Sequence, residues 1–179
     1  MGGPITPYLG GAGASEQIRA CPSFADDLDR LRASGAGFES GAGGYGYNNT
    51  FVGQVRRMTH PGIWAVESDR EGSRRWRFAS PSRTIAFTDA AYAPSWDDSE
   101  PAEYSFAEPR FWPENPAYRP EPTIHFRHSG SASVAWLDGH VDAQVRTRGA
   151  GNPTGAPGSS DRLVGWFGAA DDNSLFDYD

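Results

Sequence analysis

The chain has 179 residues, a formal charge of −7 and 16 basic residues, every one an Arg. That acidic balance disfavours general binding to nucleic acid or anionic membrane, and no apolar run approaches the ~18 residues that span a bilayer. Cys21 is the only Cys, which excludes an internal disulfide and leaves it too isolated to suggest zinc.

The length suits one domain over residues 1–179, and 22 Gly and 14 Pro make it turn-rich. No charged-then-apolar leader precedes Pro4. "CPSFADDLDRLRASG" is the best helix, predicted over 24–34. Ser23 can cap it, Asp26 and Asp27 lie in its first turn, and Phe24, Leu28 and Leu31 form one apolar stripe. Gly35 or Gly37 can end it.

"GGYGYNNTFVG" reads as a strand broken by a tight turn. "IWAVES" (63–68), "RTIAFTDA" (83–90) and "TIHFRH" (123–128) are short β-type runs, and "VGWFG" (164–168) is a weaker one. Residues 149–160 are a loop by composition. Residues 94–122 form a long insertion, too rich in Pro for a helix or central strand and too aromatic for disorder. The expectation is an ordered excursion that buries Trp112, with Trp96 or Phe111, against the sheet.

In "HSGSASVAWLDGH" nine residues separate His128 from Asp138-Gly139. Asp-Gly between alternating runs predicts a two-residue type I′ turn. Leu137 then faces His140 and Trp136 faces Val141, which puts Val134, Trp136 and Val141 on one core face. Ser129-Gly130 marks a second turn. At ~3.3 Å per residue, the strand between separates His128 from Asp138 by roughly 20 Å, so the pair shares no proton and each residue serves its own turn.

Taken in order, "PYLGG" (7–11), "CPS" (21–23), "YGYN" (45–48), "PSRTIAFTDA" (81–90) and "RHSGSASVAWLDGHVDA" (127–143) resemble the bacterial prepilin-like family called H-X9-DG. The motif residues His128, Asp138 and Gly139 carry that resemblance. It implies a head domain like those of type IV pilins and type II secretion pseudopilins, lacking the family's apolar N-terminal helix. The implied fold class is α+β, an antiparallel sheet with a short helix and long ordered loops. The implied partners are other pilin-like subunits or secretion-apparatus proteins. The implied place is the periplasm or cell surface, with membrane contact only through that helix.

Competing sites are few. His125, His128, His140 and Asp138 raise zinc, but regular strands scatter them. Calcium is the one candidate cofactor, with Asp171, Asp172 and Asp177, helped by Asn173 and Asp179, as its oxygens; a solvated acidic tail is the plainer reading. Arg74, Arg75 and Trp76 suit single-stranded nucleic acid or a charged hairpin loop. No nucleophile elbow, P-loop or dinucleotide fingerprint occurs. The sequence therefore reads as a non-enzymatic structural or interaction module. The alternative is a glycan-binding module using the rings of 94–122, favoured if they line a shallow groove.

Overall fold

The computed structural model describes residues 20–34, 42–93, 101–147 and 163–179. Trp96, "PYLGG", the helix-ending glycines and the loop at 149–160 lie outside those residues. The fold is mixed α and β: antiparallel strands in several sheets and one short helix.

A 3-10 turn, Pro22–Phe24, leads into helix α1, Ala25–Ser34. Ser23 lies inside that turn rather than capping the helix. The predicted stripe is buried: Phe24, Leu28 and Leu31 pack with Cys21 and Ala91, and Tyr45 closes the cluster.

Strands β1 (Tyr45–Tyr47), β4 (Ile85–Asp89), β6 (Ser131–Trp136) and β7 (Val141–Val145) form the main sheet in the order β1-β4-β6-β7. Strands β2 (Val55–His60) and β3 (Ile63–Ser68) pair as a hairpin, and β5 (Ile124–His125) pairs with β8 (Val164–Gly165). The pattern "VRRMTH" does not announce β2, because the residue it buries is an arginine. Arg56 is 2% exposed, and it donates to Thr50 O, Gln54 Oε1 and Glu114 Oε1 at 2.5–2.8 Å.

The β6–β7 hairpin differs from the expected register by one residue. Ala135 pairs with Val141 and Val134 with Asp142. The loop is three residues long: Gly139 N donates to Trp136 O and Trp136 N to His140 O, both at 2.9 Å. Gly139, at φ 100°, adopts the left-handed conformation of the bulge that closes such loops. The cause is tertiary. Leu137 N and Asp138 N donate to Thr84 O and Pro81 O, so both are withdrawn from cross-strand pairing. The type I′ geometry occurs instead at Ser129-Gly130, φ 55° and 86°, where His128 and Ser131 exchange backbone bonds.

Val134 and Trp136 are buried as expected, whereas Val141 is 66% exposed. The one-residue shift turns Val141 to the opposite face, in line with Ala135, Phe87 and Tyr47 on neighbouring strands. A bulge between Ile85 and Phe87 lets Ile85 and Thr88 both face the core while Phe87 points out.

The main core gathers Phe51, Ile85, Phe126, Val134, Trp136 and Trp166, with Phe176 and Tyr178 from the acidic tail. The tail is split: Asp171, Asp172 and Asp179 are exposed, while Phe176 and Tyr178 are buried. Asn48 Nδ2 donates to Ile85 O and Phe176 O, and Tyr178 Oη accepts from Arg56 N. No helix among the described residues is long and apolar enough to cross a membrane.

Candidate functional site

Cys21 and Ser23, Asp89, and Arg127, His128 and Ser133 meet at the Asp89 end of β4. The Asp89 carboxylate is wholly buried. One oxygen accepts from Arg127 Nη2 at 2.7 Å. The other accepts from Ser133 N at 2.7 Å and lies 3.1 Å from His128 Nε2. Cys21 Sγ stands 3.5 Å from that same nitrogen, and Ser23 Oγ stands 3.4 Å from His128 Nδ1.

Arg127 is the hub. A guanidinium has five N–H donors, and Arg127 directs its groups to Cys21 Sγ, Ala90 O, His125 Nδ1, Gly44 O and Asp89. Its charge also lies 4.8 Å from the Phe24 ring centre. Burial, with Cys21 and Asp89 nearby, pushes the Tyr45 phenol above its usual range. Gly44 is required here: it sits at φ 85°, and a Cβ would come within 2.8 Å of Phe24 and 3.0 Å of Arg127.

Two chemistries deserve a test against this geometry. Cys21, Asp89 and His128 bring one ligand atom each within 4.8 Å of one another, the metal-type group found among the described residues. But Arg127 already places a cation against both the thiol and the carboxylate, where a metal's charge would be repelled. A Cys–His nucleophile is also present in outline. Yet Cys21 is 1% exposed, and the imidazole nitrogen nearest it also faces Asp89, so the carboxylate stands beside the thiol rather than on the far ring nitrogen, where Ser23 Oγ lies. The cluster is built as a lock between the turn leading into α1, β4, β6 and the segment before β6, with His128 at its exposed edge.

His128 thus differs from expectation. Its backbone makes the local turn, but its side chain reaches Cys21 and Ser23, more than a hundred positions earlier in the chain, and Asp89 on β4. Cys21, set aside in the sequence reading, has a His beside it after all. Asp138 does stay local. Its carboxylate accepts from His140 N at 3.1 Å and contacts His140 Nδ1 at 2.6 Å, and these bonds hold it below the usual carboxylate range. His128 and Asp138 lie at opposite ends of β6 and share no partner.

The tail carboxylates do not converge as a calcium loop would require. Asp171 is gripped by Arg119 through two bonds of 2.8–2.9 Å, with buried Arg110 at 3.6 Å. Asp172 accepts from Ser174 N. Asp177 accepts from Asp179 N, and burial pushes it up to about 6. Arg74, Arg75 and Trp76 form an exposed 3-10 turn and its entry, with Trp76 78% exposed.

The aromatic loop corrects one expectation. Trp112 is 36% exposed and Tyr118 58%, so Trp112 is not buried against the sheet. Phe111 is partly buried beneath the Arg119 guanidinium. Comparison with family models, curated proteins and solved structures finds no match.

Proposed function

We propose that the chain is a non-catalytic interaction module, the head of a pilin- or pseudopilin-like protein in a filament or secretion apparatus at the cell surface or in the periplasm. One observation carries this reading. Cys21, Asp89 and Arg127 are spent on each other in a buried cluster with His128 34% exposed at its edge, while the main sheet leaves Phe87 and Val141 in solvent. Tyr47, Phe87, Ala135 and Val141 are cross-strand partners on four adjacent strands. Phe87 is 50% exposed and Val141 66%. An apolar row with Phe87 and Val141 exposed, flanked by half-buried Tyr47 and Ala135, suits subunit packing.

The occupant on this reading is a pilin-like subunit, and the ordered motif segments support that choice. The test is photo-crosslinking in the source cells, with benzoyl-phenylalanine placed at position 87 and, as control, at 76. Adducts to pilin-like or secretion-apparatus subunits from position 87 alone are expected. No adduct from 87, or the same adducts from both positions, would overturn the assignment.

A further inference from the structure

We propose that the second half of the aromatic loop forms a binding site for an uncharged saccharide. Tyr92, Tyr104, Trp112 and Tyr118 line a surface hollow of about 380 Å³, with Glu108 and Glu121 in its wall. That volume lies within the ~300–1,000 Å³ of small-ligand clefts.

The rings are held ready. Trp112 N donates to Tyr118 O, Tyr118 N to Asn115 O, and Asn115 N to Trp112 O, all at 2.9–3.1 Å. Asn173 clamps the base of this loop, donating to Phe111 O and accepting from Phe111 N. Trp112 and Tyr118 therefore meet solvent from a fixed backbone, and little ordering remains to oppose binding. Behind them, the Tyr92 and Tyr104 rings lie 5.4 Å apart, and Tyr104 Oη donates to Glu108.

This chemistry matches a sugar. An aromatic face is the negative end of a quadrupole, which attracts the polarised C–H face of a pyranose. Carboxylates accept strong hydrogen bonds from hydroxyl groups. Two carboxylates, Glu108 and Glu121, line the hollow with one cation, Arg119; because Arg119 is committed to Asp171, the balance disfavours an anionic ligand. Proline-rich peptides prefer an extended aromatic groove, whereas these rings surround a compact hollow. The inference stands apart from subunit packing, since Phe87 is not among the residues lining the hollow.

The experiment is an array of neutral glycans, followed by calorimetry on the best binder with the full chain and with Trp112→Ala, Tyr118→Ala and Trp76→Ala. Circular dichroism establishes that each variant is folded. Binding is expected to weaken by about tenfold or more in the first two variants and to stay unchanged in the third. Absence of any bound glycan would overturn the proposal. So would binding indifferent to Trp112 and Tyr118, or a decaproline peptide binding there while every glycan fails.

Discussion

Trp136 Nε1 donates a 2.8 Å hydrogen bond to Asp142 Oδ1 across the β6–β7 hairpin, and its ring stacks on His140 with centroids 5.7 Å apart. The bond fixes which residues after the loop share the indole's side: His140 and Asp142, not Val141. Asp142→Ala is expected to lower stability by about 1 kcal/mol, the usual worth of one such bond. Val141→Thr should change the isolated chain by no more than about 0.5 kcal/mol. Denaturant titration checks both, and a larger loss for Val141→Thr would restore the core role that exposure denies it.

The Asp89–Arg127 pair should behave as a buried pair. Asp89→Ala leaves a guanidinium inside without its counter-charge, and removing one partner of such a pair costs about 3–5 kcal/mol. Arg127→Lys keeps the charge but cannot reproduce five directed donors, so it should also destabilise. Unfolding midpoints within error of the parent would show that the lock is not closed.

If Arg127, rather than a metal, holds Cys21 and Asp89 together, the chain should be indifferent to metals. EDTA should leave the melting temperature unchanged, and excess Zn²⁺ should not raise it, because a ligand stabilises only when it favours the folded state. A rise of several degrees with zinc would mean that Arg127 can be displaced from Cys21 and Asp89.

Asp177 gives a signed pH dependence. Its folded value, about 6, exceeds the ordinary 3.8, so the folded chain holds the proton more tightly. The stability this contributes is complete below about pH 4 and is lost as pH rises through 6. Asp177→Asn keeps the acceptor without the charge. It should stabilise the chain by about 1–2 kcal/mol at pH 7, allowing for partial solvent screening, and by nearly nothing at pH 4. Thermal melts at the two pH values test this; equal gains at both would assign the effect to something other than ionisation.

His128→Ala and Asp138→Ala should act independently. They sit at opposite ends of β6 with different partners, and distant lesions without shared contacts add. The melting-temperature shifts of the single variants should therefore sum to that of the double. A double-mutant shift clearly different from that sum would reveal coupling along the strand.

Much of this framework was legible in local pattern. The stripe Phe24–Leu28–Leu31 marks α1 because helical spacing survives whatever the helix packs against. "IWAVES" marks β3 for the same kind of reason. The register of β6–β7 was not legible, because backbone bonds from Leu137 and Asp138 to Thr84 and Pro81 decide it, and those residues lie some fifty positions earlier. The lock was hidden likewise: Cys21, Asp89 and His128 have no spacing that announces a meeting. One signal was available, since the quoted segments "CPS", "TDA" and "RH" each contribute to it. The rings of 94–122 were visible as chemistry, but only the loop's own hydrogen bonds decide that Trp112 meets solvent.

Asn48 has a kinetic consequence. One buried amide joins Ile85 to Phe176, so the same few atoms must wait for partners 37 and 128 residues away. Closing such separations loses chain entropy before any packing repays it, and topologies dominated by distant pairings fold on millisecond-to-second scales. Until Phe176 and Tyr178 arrive, the core between β4 and the β2–β3 hairpin stands open. The early ensemble should therefore bind a hydrophobic dye such as ANS, and lose that signal in the same slow phase that brings the Asn48 clasp together.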